Sequence, residues 1–268
     1  MKKKLIVVAD DFGFSEAYNY GALKAYKEGI VTVLSLMSNM EAAPHAVTLA
    51  KQEAPGANLT LHINFVQGRP VSRPEEVPSM VDENGMFYRS YQWKSGGINN
   101  DGKCTGDVVV SPEDCTRETI AQLERFKELT GSYPNHYEGH SAMTEAVLEG
   151  FHKAALNYGI HCMTEPEVET DTMHAAHELL FGNPAAMEAL HRGFLPEDFY
   201  RDTIGLLESP FEYNVLHMHP GYLDEYLLNN TSLTTPRCRD LETACDTGVL
   251  KWLEEHEIEL VDFSEIYK

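Results

Sequence analysis

Two adjacent carboxylates, Asp10 and Asp11, close an apolar run that begins at Leu5. They read as the mouth of a buried strand. His62, with Asn64 just beyond it, stands near the end of the apolar segment NLTLHI. Glu138-Gly139-His140 closes a short strand-like stretch, and His217-Met218-His219 closes another. A single Asp or His at a strand end ordinarily satisfies backbone groups or caps a helix. Four such ends converging on one rim point instead to a site. One carboxylate and two imidazoles make a three-ligand metal site with positions left for water and substrate, and Asp11, His62 and His140 are the best candidates. A second carboxylate beside the ion suits a general base, and a further His a general acid; this is the equipment of metal-assisted hydrolysis. Residues two apart on an extended strand share a face, so His217 and His219 could act as a pair. His219, followed by Pro220 and Gly221, lies at the strand's end facing the rim and is the preferred functional one. Two imidazoles suit zinc, cobalt, nickel or iron better than magnesium, which prefers oxygen. The same donor set describes a non-haem iron oxygenase triad, a rival that the alternating pattern of elements argues against.

Strands must bring these residues together. The pattern predicts a strand over 4–9, a helix over about 15–28 closed by Gly29, a strand in VTVLSLM (31–37), a helix over about 43–53 and a strand in NLTLHI (58–63). An excursion of about 64–110 follows, with a lid or rim role; its Tyr88, Tyr91 and Trp93 could stack on a sugar or simply pack. A helix opens at Ser111-Pro112 with Asp114 as a capping-box acid, and stops at Gly131. NHYEG (135–139), a helix over 143–158 and GIHCMT (159–164) come next. Then come a helix in FLPEDFYRDTIGLLES (194–209), a strand in YNVLHMH (213–219), one long helix over 236–257 and a last strand in IELVDF (258–263). Strand-helix alternation implies an α/β fold with a mostly parallel sheet, closed or nearly so, whose chemistry gathers at the carboxyl ends of the strands. Successive strand residues point to opposite faces, so Asp10 and Asp11 serve one site only if the chain turns there; Gly13 makes such a turn easy.

At 268 residues, the chain reads as a single catalytic domain, 1–268. Against 21 basic residues stand 42 acidic ones, a net charge of −21 that argues against nucleic acid and disfavours acidic membranes. No apolar run reaches membrane-spanning length. The basic N-terminus leads into an apolar run too short for a secretory signal, so a cytoplasmic protein is expected. Five cysteines without paired spacing read as reduced, incidental thiols. Dinucleotide and NTP phosphate loops are absent.

The stretches VVADDFGFSEAYNYGALKAYKEGIVTVLSLMSNMEAA, LTLHINFVQGRPVS, VPSMVDENGMF, LHMHPGYLDEYLL, TTPRCRDLE and IELVDFSEI, in that order, resemble the YdjC-like (ChbG-type) carbohydrate deacetylases. The resemblance implies a distorted (β/α) barrel related to the polysaccharide deacetylases, and hydrolysis of N-acetyl groups from acetylated amino sugars or chito-oligosaccharides. It also implies a divalent metal, magnesium in the family, and a homodimer. By motif, Asp11, His62 and His140 match metal ligands, Asp10 the general base and His219 the acid. Arg237 matches an arginine of the C-terminal motif; Arg237, Asn64 and Glu138 are the expected substrate contacts. The chain departs from the family in one place. A central segment resembling D-S-H-Q-H-V-H stands here as Glu138-Gly139-His140-Ser141-Ala142-Met143-Thr144, with two histidines lost. A sugar other than a chitobiose-like one, or a non-catalytic sugar-binding protein with a degenerate site, is therefore a further reading.

Overall fold

The structure, a computed structural model, describes residues 2–94, 104–162 and 176–267. In chain order the elements are β1 (Lys4–Phe12), α1 (Glu16–Glu28), β2 (Val33–Leu36), α2 (Ala43–Glu53), β3 (Asn58–Asn64), α3 (Pro112–Thr130), β4 (His136–His140), α4 (Glu145–Tyr158), β5 (His161–Cys162), β6 (His177–Glu178), α5 (Pro184–Arg192), α6 (Pro196–Tyr200), β7 (Tyr213–Met218), α7 (Glu225–Asn230), α8 (Thr235–Ala244), α9 (Thr247–Glu255) and β8 (Glu259–Leu260). They fall into two compact units: Met1–Ser35, Pro44–Leu59 and Thr170–Lys268 form the first, and Leu36–Ala43 with Thr60–Glu169 the second.

In the first unit β1 pairs in parallel with β7 and with β8, and β6 pairs in parallel with β7. Leu5 to Ala9 are fully buried, as a continuous apolar run requires when both faces of a parallel strand are covered. Ile6, Val8, Val33, Val215, Val261 and Phe263 pack into one core cluster. The α1 helix starts where Ser15 accepts a hydrogen bond from the Tyr18 amide, and its Gly29 amide closes it onto Ala25. In the second unit β3 pairs in parallel with β4, and β4 with β5. The parallel α/β architecture predicted from the alternation is thus what the chain forms.

Three expectations need correction. The helix expected over 236–257 is broken into α8 and α9 at Cys245-Asp246. There the Asp246 carboxylate accepts from the Val249 amide and starts a new helix. Periodicity hid this, because the short polar side chain of Asp competes for backbone donors. The helix expected over 194–209 survives only as α6; Asp202 is left-handed (φ 50°), and its carboxylate takes the amides of Leu206 and Leu207. At α3, Ser111 caps the Asp114 amide as predicted, but Asp114 does not return the bond. Its carboxylate binds the amide (2.9 Å) and hydroxyl (2.6 Å) of Ser79, tying the 64–110 excursion to the helix.

Within that excursion Trp93 is buried and donates from its indole to the Tyr88 carbonyl, so it packs; Tyr91 is exposed. Residues 95–103 lie outside the described residues, as does His174. No helix among the described residues is long and apolar enough to cross a membrane. No disulfide joins the five cysteines among the described residues.

Candidate active site

The doublet resolves through the backbone of the first unit. Asp11, at the end of β1, adopts a left-handed conformation (φ 62°), and Gly13 follows at φ 97°. The turn that Gly13 was expected to make therefore begins at Asp11 itself. An L-residue in this region costs roughly 1–2 kcal/mol, and such strain gathers at functional sites. Three bonds hold the turn: Phe14 amide to Asp11 carbonyl at 2.9 Å, Gly13 amide to Asn19 Oδ1 at 2.7 Å, and Tyr18 hydroxyl to Asp10 carbonyl at 2.5 Å. The two carboxylates consequently meet different partners.

Asp10 meets the histidines of β7. Its Oδ1 lies 2.9 Å from His217 Nδ1, and its Oδ2 lies 3.8 Å from His219 Nε2. The parallel register that sets Val8 opposite His217 brings the ends of the two strands together. On its far side the His217 ring meets Glu178 of β6, with Nε2 3.1 Å from Oε2. His219 is also held by its backbone, whose amide donates to Asp240 Oδ2 at 2.7 Å; the other oxygen of Asp240 accepts from the Phe194 amide at 2.7 Å. Burial pushes the Asp240 carboxyl up to about 7, the two amides and Arg237 offsetting part of the effect.

Asp11 meets Arg237 of α8. Nη2 donates to Asp11 Oδ2 at 2.7 Å, with the two side chains 1% and 0% exposed. Arg237 Nε donates to the Leu233 carbonyl, and its guanidinium lies 5.3 Å from the Phe14 ring centre and 4.8 Å from that of Tyr18. Burial works against the charge of Arg237, but the carboxylate of Asp11 leads the effects that together hold its pKa above the ordinary arginine value.

In the second unit the parallel pairing sets His62 opposite Glu138 and Asn64 opposite His140. The His62 and His140 rings meet edge to face with centroids 5.3 Å apart. His62 Nδ1 lies 3.5 Å from Glu138 Oε1, and His136 Nε2 lies 3.9 Å from Glu138 Oε2, all three residues being buried. Gly139 has no room for a side chain: a Cβ would stand 2.4 Å from Met143 Sδ and 3.0 Å from the Phe151 ring. After His140 the chain takes two consecutive left-handed residues, Ser141 (φ 59°) and Ala142 (φ 50°). Both lie in the segment 138–144, where a departure from the family pattern is expected.

Each unit thus gathers several of the expected residues: Asp10, His219, Asp11 and Arg237 in the first, His62, His140, Glu138 and Asn64 in the second. Asn64 is fully buried, and its amide is spent on the local turn. It accepts from Val66 and Gln67 amides at 3.0 Å and donates to the Gln67 carbonyl at 2.8 Å and to Asn39 at 3.0 Å. Arg237 and Glu138 are equally buried, facing Asp11 and His62. Sequence reasoning did not find Glu178, Asp240 or Tyr18, and it ranked His217 below its neighbour. The His-x-His spacing was the one available signal, since it places both rings on one face; nothing in the residues around Glu178 marked it.

The profile of the family described as YdjC-like protein matches residues 4–255. The chain is 32% identical to a carbohydrate deacetylase of Geobacillus stearothermophilus over 285 residues, covering 100% of both chains. It is 29% identical to carbohydrate deacetylase 2 of Listeria innocua, covering 99% of each. Among solved structures, one described as a candidate cellobiose-phosphate cleavage protein of Enterococcus faecalis superposes with a TM-score of 0.80 at 23% identity, covering 100% of both chains. That last likeness is one of fold.

Proposed function

The chain belongs to the YdjC-like protein family, and on that premise we propose that it is a metal-dependent carbohydrate deacetylase. Its substrates would be acetylated amino sugars or chito-oligosaccharides, from which it hydrolyses N-acetyl groups. The observation that carries this reading is the pairing of Asp10 with His219, a carboxylate oxygen and an imidazole nitrogen 3.8 Å apart at the ends of β1 and β7. Amide hydrolysis needs one group to take a proton from water and one to give a proton to the departing amine. Asp10 takes the first at its carboxylate. His219, whose backbone is anchored to Asp240, gives the second from its ring as the carbon–nitrogen bond breaks. The products are acetate and the free amine.

Asp11, His62 and His140 would hold the divalent ion. The donors suit one: the rings of His62 and His140 meet edge to face, and Glu138 stands on the Nδ1 side of His62, as a carboxylate that orients a ligating imidazole does. One carboxylate with two imidazoles favours zinc, cobalt, nickel or iron over the magnesium that the family resemblance implies. A bound ion supplies polarisation of the acetyl carbonyl and a lowered pKa for the attacking water. Arg237 and Glu138 act through the ligands they face, and Asn64 through the turn it holds, so we assign all three positioning rather than contact with sugar. We further propose that the chain works as a homodimer and as one catalytic domain; sedimentation equilibrium tests the first.

The deciding experiment is acetate release from N-acetylglucosamine and N,N′-diacetylchitobiose, with zinc, cobalt, manganese or magnesium supplied to metal-stripped protein. Metal-dependent release is expected. Sugar binding without acetate under any of these ions would replace the enzymatic reading with the non-catalytic one.

A further inference from the structure

The His217 ring lies between two carboxylates. Nδ1 is 2.9 Å from Asp10 Oδ1 and Nε2 is 3.1 Å from Glu178 Oε2, with the ring's side chain only 10% exposed. An ionised carboxylate can only accept, so a ring nitrogen bonded to one must carry a hydrogen. A nitrogen lone pair against a carboxylate oxygen at 2.9 Å would be repulsive. With Nδ1 donating to Asp10, the contact of Nε2 with Glu178 fixes the plane of the ring from its other edge. The result for Asp10 is asymmetric. Oδ1 is tied down by His217, while Oδ2 is the oxygen turned toward His219.

We propose that Glu178 and His217 form a positioning dyad that selects Oδ2 of Asp10 as the oxygen that exchanges protons in the reaction. Glu178 fixes the ring, the ring fixes Oδ1, and Oδ2 is left beside His219. The bond to the ring holds the carboxylate in the orientation that turns one oxygen toward His219. Glu178 and His217 are not catalytic residues themselves, since the proton passes through Asp10 and His219. The kinetic part of this inference rests on the deacetylase reading; the spectroscopic part does not.

Two measurements test it. The first is the proton inventory of the His217 ring in the intact wild-type protein, read by NMR with ¹⁵N-labelled histidine and assigned against His217→Asn. A hydrogen on Nδ1, shifted downfield by its bond to Asp10, is expected; a ring protonated on Nε2 alone, with bare Nδ1, overturns the dyad whatever the enzyme's activity. The second is a comparison of variants, with rates expressed per folded molecule from thermal unfolding. His217→Leu keeps a similar volume without any donor, and kcat should fall roughly 100-fold with KM little changed, as for a misplaced reacting group. His217→Asn retains a side-chain N–H where Nδ1 stood and should recover a large part of that loss. Glu178→Gln should show a smaller fall in kcat than His217→Leu. If the Asn and Leu variants are equally impaired, or if His217→Leu turns over at the wild-type rate, the positioning role is wrong. A wild-type protein that shows the Nδ1 hydrogen but releases no acetate would sink the deacetylase reading and leave the hydrogen-bonded dyad standing.

Discussion

Replacing Arg237 by Met would probe the centre of the first unit more directly than any other change. The Arg237–Asp11 pair is sealed from solvent, at 1% and 0% exposure, with a 2.7 Å bond. Removing one partner of a buried pair leaves the other as an uncompensated charge, a loss of about 3–5 kcal/mol. Met restores most of the volume, so cavity formation adds little, while the stacking on Phe14 and Tyr18 is lost as well. For a chain of this size each kcal/mol moves the melting temperature by about 2–4 °C, so a drop of roughly 6–20 °C is expected in metal-free protein. If Asp11 is also a metal ligand, a divalent cation replaces part of the missing positive charge. Saturating ion at about 100 times its Kd stabilises a protein by about 2.7 kcal/mol. The gain in Arg237→Met should exceed that in wild type, because an unpaired buried carboxylate binds the ion more tightly. Thermal unfolding of both proteins, chelated and with zinc, reads this out. An unchanged melting temperature in the chelated variant would refute the energetic argument; a zinc-induced gain no larger than the wild type's would refute the link between Asp11 and the ion.

Asp10→Asn should lower turnover by about 10²–10⁴-fold while equilibrium dialysis shows metal still bound, because the base is lost and the ligands are kept. Asp240 sets a pH dependence of stability. Its carboxyl rises from 3.8 in the unfolded chain to about 7 in the fold, so the unfolded state holds fewer protons in between. Stability should therefore fall as pH rises from about 4 through about 7, by a total of roughly 4 kcal/mol, and then level off. Denaturant titrations across that range check the slope, and Asp240→Asn should flatten it. Gly139→Ala forces a Cβ to within 2.4 Å of Met143 Sδ beside His140. It should cost about 1–3 kcal/mol in unfolding experiments and weaken zinc binding measured by calorimetry.

Much of the fold was legible along the chain because its signals are local. Ser15 and Ser111 as helix starts, Gly131 as a left-handed stop and the buried apolar run of β1 are each written within a few residues. The failures were local competitions that periodicity does not weigh. Asp246 prefers to cap a new helix over continuing the old one, and Asp114 finds a better partner in Ser79 than in the start of its own helix.

The sequence by itself singled out the side chains proposed to carry chemistry and the strands that hold them: Asp10 and Asp11 near the end of β1, His62 on β3, His140 on β4, His219 just after β7. Only the tertiary structure decided who meets whom. Asp11 and Arg237 are 226 residues apart, and Asp10 and His217 are 207 apart. No spacing rule reaches that far, because such contacts are made by the parallel register of β1 with β7 and the placement of α8. The left-handed turn at Asp11 likewise sends two neighbouring carboxylates to different partners. That turn is held by Tyr18, Asn19 and Phe14 together, a set of bonds that forms only when β1 and α1 are both in place.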